Sequence, residues 1–347
     1  MRLLLISDDL TGALDSAVAF VQRGLSVICA LDENAIPAAV AQDPDVLAVS
    51  INSREITEKQ MKVRLSGVLD TIQGMPRWRD AVLFKKIDSR LKGHLRAEMS
   101  MLAFARPELL VCPAVPRLGR VVKDGYLQGA GVSAPLDIAG KLGLDRSHVT
   151  DAQNADDLNA ALRDCNPATT LFVGAAGLAD ALACRMHPDV KPATLKPFSG
   201  SSVFAIGSRD PVTLDQLAPL NVTAAPNGAV PAIPSARLSV IQMTNKRAVP
   251  VAPEIAGAEF ARGIAQFIKL HQPANLLACG GETAAAILRQ LGARLLRVDA
   301  ELQAGVPVSR LLDGYPGLRL ISKSGGFGGP DTLAEIADMF RLPATNS

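Results

Sequence analysis

The sequence predicts an α/β protein of two domains with largely parallel sheets and an active site in the interdomain cleft. Three observations predict it. Short apolar runs alternate with stretches whose apolar residues recur at helical spacing, as expected of βα units around a sheet covered on both faces. The alternation pauses at a Pro-, Lys- and Ser-rich segment, 187–202, and then restarts, and that composition suits a linker. Polar and glycine clusters sit where apolar runs end, and the carboxyl ends of strands are where open α/β sheets bind ligands.

The first domain, 1–190, opens with a strand over 3–6. Leu14, Ala17, Val18 and Val21 then repeat at helical spacing, and Gly24 stops that helix. Strands follow over 25–31 and 46–51, a helix over 61–72, a strand over 81–84, a helix over 95–105 and a strand over 109–112. Residues 113–141 break the rhythm with Pro113, Pro116 and Pro135 and Gly119, Gly125, Gly129 and Gly131. A long irregular stretch is usually functional or unstructured. Its charges, Arg117, Arg120, Lys123 and Asp124, fit a lid over a site, with an ordinary excursion as the alternative. A strand over 171–174 leads to a helix starting near Gly177. The second domain, 200–347, shows strands over 203–206, 238–243, 276–279 and 318–321. Its helices follow Pro211 and cover 254–270 and 283–291.

Composition narrows the function classes. With 347 residues, 48% apolar and 20% charged, the chain can bury two cores. A net charge of +2 and 4% aromatics argue against a nucleic-acid partner, which needs concentrated positive charge or stacking platforms. No apolar run reaches the ~18 residues that span a bilayer, so no membrane partner is expected. The N-terminus enters a strand with no export signal. Five widely spaced cysteines, Cys29, Cys112, Cys165, Cys184 and Cys279, read as reduced thiols of a cytoplasmic protein. The four histidines lack ligand spacing, and no metal ligand is assigned. A homo-oligomer stays open.

The chemistry concentrates at strand ends. Ser7-Asp8-Asp9-Leu10-Thr11-Gly12-Ala13 follows the first strand. Asp9 or Thr11 can cap the next helix, but a cap needs one such residue and this loop carries three. The richer reading is a site for a polyhydroxylated substrate, a metal ion or a proton acceptor. Ser53-Arg54 and Lys85-Lys86-Ile87-Asp88-Ser89-Arg90 follow two further strands. Together these ends offer acids for hydroxyls, and Arg54, Lys86 and Arg90 for a carboxylate.

In the second domain three strands lead into Gly207-Ser208-Arg209-Asp210-Pro211, Gly280-Gly281-Glu282-Thr283 and Ser322-Lys323-Ser324-Gly325-Gly326-Phe327-Gly328-Gly329. Glycines admit an anion to backbone N–H groups, and a following helix N-terminus favours negative charge. If the strands are neighbours, the loops form one crevice suited to a polyphosphate. Neither a Walker A loop nor a GxGxxG fingerprint is present. Lys323 reads as a phosphate counter-charge or a solvated edge residue, and Glu282 as an orienter of Mg²⁺ or a helix N-terminal charge.

These residues resemble the four-carbon acid sugar kinases. The matching pieces are Asp8-Asp9-Leu10-Thr11-Gly12-Ala13 with Asp15, Ser53-Arg54, Lys85-Lys86-Ile87-Asp88-Ser89, Gly174-Ala175-Ala176-Gly177-Leu178-Ala179, Gly207-Ser208-Arg209, Gly280-Gly281-Glu282-Thr283-Ala284 and Lys323-Ser324-Gly325-Gly326-Phe327-Gly328. They come in family order and span nearly the whole chain. The resemblance implies ATP- and Mg²⁺-dependent phosphorylation of a terminal hydroxyl of threonate, erythronate or 3-oxo-tetronate. It places Asp8, Asp9, Arg54, Lys86 and Asp88 on the substrate side; Thr11, Ser89 and Arg90 in the same loops join them as substrate-binding candidates, and Asp9 and Asp88 are the catalytic candidates, with Asp8 as a rival for the proton acceptor. It places Ser208, Gly280, Gly281, Glu282, Thr283, Gly325 and Gly326 at ATP. A kinase for a neutral sugar or nucleoside, or a non-catalytic nucleotide or metabolite sensor, is the alternative.

Overall fold

In the computed structural model, residues 1–75, 78–103, 105–187, 195–245 and 251–341 are described. The chain divides into two compact units, Met1–Ala193 and Thr194–Ser347.

The first unit begins β1 (Leu3–Ser7), α1 (Leu10–Val21), β2 (Val27–Ala30), α2 (Ile36–Val40), β3 (Val46–Ser50), α3 (Glu58–Gln73), β4 (Val82–Lys86), α4 (Leu95–Leu102) and β5 (Glu108–Cys112). Three short strands follow, β6 (Arg120–Lys123), β7 (Tyr126–Gly129) and β8 (Leu136–Asp137), then α5 (Ile138–Leu142), α6 (Ala155–Arg163), β9 (Thr170–Gly174) and α7 (Ala176–Met186). The main sheet of this unit runs β2-β3-β1-β4-β9-β5, all parallel. β1 is therefore a switch point, with later strands added on both sides, and β3 and β4 flank it.

α1 is buried at every position but Thr11. Its small residues, Gly12, Ala13, Ser16, Ala17 and Ala19, let it approach the sheet and the alanine-rich α7. Successive strand residues face opposite ways, so Lys85 and Lys86 at the end of β4 serve two faces. Lys85 reaches Glu98 of α4, and Lys86 reaches toward Gly12 of α1.

The second unit contains β10 (Ser202–Ile206), α8 (Pro211–Gln216), β11 (Thr223–Pro226), β12 (Leu238–Thr244), α9 (Pro253–His271), β13 (Asn275–Cys279), α10 (Gly281–Leu291), β14 (Leu295–Gln303), β15 (Val306–Leu311), β16 (Arg319–Lys323) and α11 (Thr332–Arg341). Its strand order is β11-β12-β10-β13-β16-β15-β14. The pairs from β11 to β16 are parallel, and β16-β15 and β15-β14 are antiparallel. Here β10 is the switch point, between β12 and β13. Phe198, Phe204 and Phe340 form its aromatic core, with ring centroids 4.3 and 5.5 Å apart.

Four expectations change. Residues 113–141 are not irregular: 120–137 form a three-stranded antiparallel sheet. The β6–β7 turn is Asp124-Gly125, both at positive φ, a geometry that matches the twist of a two-residue hairpin. The linker reading of 187–202 falls partly on 188–194, outside the described residues; Leu195 and Phe198 belong to the second unit's core. Ser322 and Lys323 end β16 instead of opening its loop. The antiparallel pair β14–β15 was not expected at all.

Candidate functional site

In the first unit the ends of β3, β1 and β4 lie side by side, with Ser7 in register with Ser50 and with Lys86. This brings together Arg54, the Asp8-Asp9 pair and Lys86 through Arg90. Ser53 N–H donates to Asp8 O at 2.8 Å, tying two of the loops. Asn52 and Leu91 both hold positive φ, 45° and 57°, a strained conformation for residues with side chains. It lies where each loop turns away from its strand.

Arg54 is the centre of this cluster. Its Nε donates to Asp8 Oδ2 at 2.7 Å, and Nη2 donates to Asp8 Oδ1 at 3.0 Å and Asp9 Oδ1 at 2.9 Å. Nη1 donates to Asp9 Oδ2 at 3.1 Å and lies 3.4 Å from Asp88 Oδ1. All five N–H groups thus face three aspartates. The expectation that Arg54 holds a substrate carboxylate meets a guanidinium already full of acids of its own.

The acids divide by environment. Asp8 is 1% exposed. Burial works against its charge, but Arg54, then Lys85 and Lys86, hold its carboxyl below the ordinary range. Asp9 moves the other way: burial and the neighbouring Asp8 raise it, against Arg54, Lys86 and the Thr11 hydroxyl. Environments that push two carboxyls apart are how one site assigns an acceptor and a fixed charge. Asp9 also caps α1, accepting from Gly12 N–H at 3.0 Å, and it accepts from Thr11 Oγ1 at 2.6 Å. Capping and site roles coexist in this one residue. A Cβ on Gly12 would collide with Asp9 Oδ1 and stand 3.0 Å from Lys86 Nζ, so glycine keeps both groups in place.

Asp88 Oδ2 accepts from the backbone N–H of Arg90 at 2.9 Å and of Lys92 at 3.3 Å, which shapes the turn after β4. Ser89 Oγ accepts from Arg120 Nη1 at 2.7 Å. Lys86 is buried and donates to Ile87 O at 2.8 Å. The sequence reading missed Glu98, fully buried, which pairs with Lys85 at 3.1 Å and accepts from Ser53 Oγ at 3.1 Å. It also missed the seating of Arg117 on Asp15, 3.3 Å, and Asp180, 3.6 Å.

In the second unit β10, β13 and β16 are neighbours, so the three glycine loops share one edge. They are stitched together. Gly207 and Ser208 N–H donate to Cys279 O at 3.2 and 3.1 Å, and Gly280 N–H donates to Lys323 O at 2.9 Å. Thr213 Oγ1 donates to Gly325 O at 2.7 Å, and Gln216 Nε2 to Phe327 O at 3.1 Å and Gly329 O at 2.7 Å. Thr213 and Gln216 are fully buried. Their i, i+3 spacing on α8 was the available signal.

A Cβ on Gly325 would collide with Ser208 Oγ, and Gly280 holds φ at +108°. The 11-residue α10 starts beyond Gly280, and its first bond to Gly280 O comes from Ala284. The N–H groups of Gly281, Glu282 and Thr283 are its leading donors, an arrangement that binds anions. Glu282 is exposed on that first turn. Lys323 is 0% exposed, which removes the solvated-edge reading; burial lowers its ammonium against the pull of Cys279 and Asp210.

Among the described residues no three His, Cys, Asp or Glu side chains are grouped to hold a metal ion, and no helix is long and apolar enough to cross a membrane. Residues 3–137 match the family model of a sugar-binding N-terminal domain, and residues 235–333 that of a nucleotide-binding C-terminal domain. A D-threonate kinase of Cupriavidus necator is 28% identical, covering 96% of each chain. A 3-oxo-tetronate kinase of Pseudomonas fluorescens is 24% identical, covering 95% of each. A crystal structure from Salmonella typhimurium LT2 superposes with a TM-score of 0.71 over 96% of this chain and 98% of its own, at 18% identity, and shows the shared fold. With both domain models matched in order and kinase relatives aligned end to end, the chain belongs to the four-carbon acid sugar kinase family.

Proposed function

We propose that this protein transfers the γ-phosphoryl group of ATP to the terminal hydroxyl of threonate, erythronate or 3-oxo-tetronate, the acids named by its relatives and family. One observation carries the residue roles: the adjacent Asp8 and Asp9, one held low and one pushed up, beside Arg54 at the switch point of the first unit. Asp9 orients the hydroxyl and accepts its proton. Asp8 stays ionised and fixes Arg54. Asp88 lies against the same guanidinium and receives a second hydroxyl, while Thr11, Lys86, Ser89 and Arg90 complete the sugar-acid surroundings.

The leading N–H groups of α10, with Ser208 and the Gly325-Gly326 turn, cradle the phosphates of ATP, and Lys323 supplies positive charge behind them. Phosphoryl transfer asks little covalent chemistry of a protein, so positioning and charge neutralisation dominate. Mg²⁺, when bound with ATP, would supply positive charge that neutralises the phosphates. With no cluster of three acidic or metal-binding side chains among the described residues, the ion would be held chiefly by the phosphates, and Glu282 and Asp210, which belong to two of the glycine loops, are the carboxylates that would assist. The five unpaired thiols suit the reducing cytoplasm.

A coupled assay of ADP release over a panel of four-carbon acids, with and without Mg²⁺, tests this reading. Turnover with at least one acid, lost without Mg²⁺, is the expected result. ATP binding with no turnover on any acid would favour a sensor, and turnover confined to neutral sugars would overturn the substrate class.

A further inference from the structure

The structure assigns the substrate's carboxylate to Arg120 together with Arg90, making Arg120 a specificity-determining residue on the three-stranded strap; the inference rests on the sugar-acid kinase reading above. Several cations of the first unit are already engaged. Arg54 is filled by three aspartates. Lys85 pairs with Glu98, and Arg117 with Asp15 and Asp180. Arg106, also buried, donates to the carbonyls of Ala105, Arg79 and Ala81.

Arg120 and Arg90 differ from all of these. Arg120 is 4% exposed. Its Nε donates to Ala130 O at 2.9 Å and its Nη1 to Ser89 Oγ at 2.7 Å. It has no carboxylate within ion-pair distance among the described residues, and its Nη2 donates to none of them. Arg90 is half-buried, and its guanidinium also donates to no described residue. Gly131, at φ +72°, lies so close that a Cβ there would stand 2.9 Å from Arg90 Nη2. The strap thus lays its backbone on Arg90 while it inserts Arg120 beside Ser89. Burial and then Arg90 work against the Arg120 charge, while Asp88 and Asp15 favour it without either pairing with it.

Arg90 and the almost wholly buried Arg120 repel each other, Asp88 and Asp15 offset this without pairing with Arg120, and an anion bound between the two guanidiniums would relieve it. A carboxylate suits their planar donors, and each charged contact is strong in a site shielded from water. Position supports the match. Ser89 and Arg90 directly follow Asp88, and the Arg90 N–H is bonded to the Asp88 carboxylate. A short molecule with a carboxylate at one end and hydroxyls along its length meets cations at one end of this turn and acids at the other.

The test compares wild type with Arg120→Met and Arg90→Met, reading kcat/KM for threonate and for its neutral carboxamide. Each variant is expected to lose roughly 10- to 150-fold on the acid, the size of one charge-assisted hydrogen bond, with the amide and the KM for ATP nearly unchanged. Among the described residues the Arg90 side chain has no hydrogen-bond partner, so Arg90→Met decides the matter even where Arg120→Met fails to fold. Folded variants that keep the wild-type preference for acid over amide, or that lose both substrates equally, overturn the subsite. Wild type that turns over neither threonate nor erythronate overturns the kinase reading instead.

Discussion

The two units use the same topological position for opposite materials. At the switch point of the first, the site is built of charged side chains: three aspartates closed on Arg54, with buried lysines on either face of β4. At the switch point of the second, it is built of backbone: glycine loops, helix N–H groups and the buried hydroxyl and amide of Thr213 and Gln216 that hold them. The difference follows from the ligands proposed. A sugar acid presents hydroxyls and one carboxylate, which different side chains must tell apart. A polyphosphate presents many equivalent oxygens, which backbone donors satisfy without side-chain variety. The first site should therefore break when a charge is altered, and the second when a backbone path is altered.

The largest effect is expected at the hub of the first site. Arg54→Met leaves Asp8 buried without its main partner, a change that costs about 3–5 kcal/mol. Urea unfolding at neutral pH should show it. The pH dependence has a fixed sign. In wild type Asp8 is held low, so its stabilisation is present above the ordinary carboxyl value of 3.8 and fades as pH falls through the folded value. Without Arg54 that carboxyl rises, so the gap between wild type and variant should shrink as pH is lowered toward about 4. A gap that stays constant would mean that the cluster is not held by charge.

Asp9→Asn comes next. It keeps size and removes the proton acceptor, so kcat should fall by ~10² or more while calorimetry shows both ligands still bound. Because burial and Asp8 raise the Asp9 carboxyl, the acidic limb of the wild-type kcat profile should lie above the ordinary carboxyl range and vanish in the variant. Near-normal turnover would pass the role to Asp88.

The same contrast explains what the sequence revealed. Central parallel strands are covered on both faces, so β1, β3, β4, β10, β13 and β16 read as apolar runs, and the polar residues at their ends stood out. The pair β14–β15 has one wetter face, so its signal was alternation, Leu296-Arg297-Val298-Asp299-Ala300, which a search for continuous runs passes over. The strap was hidden by its own prolines and glycines, though Asp124-Gly125 marked its hairpin. Residue types at the sites were visible, but their partners were not. Arg54 lies 46 residues from Asp8, and Lys85 13 residues from Glu98, and only the fold brings them together.

In the second unit, Gly280→Ala should sharpen the comparison. The residue holds φ at +108°, and a Cβ would stand 3.2 Å from Thr283 Oγ1 and 3.4 Å from Ser208 N. Strain of about 1–3 kcal/mol would shift the turn that starts α10. ATP affinity should drop by a corresponding factor while threonate affinity, measured without nucleotide, stays at its wild-type value. A loss shared by both ligands would show that the two sites do not fail independently.

The smallest effect tests whether hydroxyls that never meet the ligand set the backbone cradle. Thr213 is fully buried on α8, and its Oγ1 donates to Gly325 O at 2.7 Å while lying 3.3 Å from Ser208 Oγ. Thr213→Val keeps the volume but removes that bond, and Gly325 O loses a partner. The net value of such a bond is about 1 kcal/mol, so the KM for ATP should rise roughly fivefold. The KM for the acid should not move, because α8 belongs to the second unit and the acid site to the first. Nor should kcat fall as it does in Asp9→Asn, since no proton passes through Thr213. An unchanged KM for ATP would show that the glycine loop keeps its path without α8, and that the order of this site resides in the loop itself.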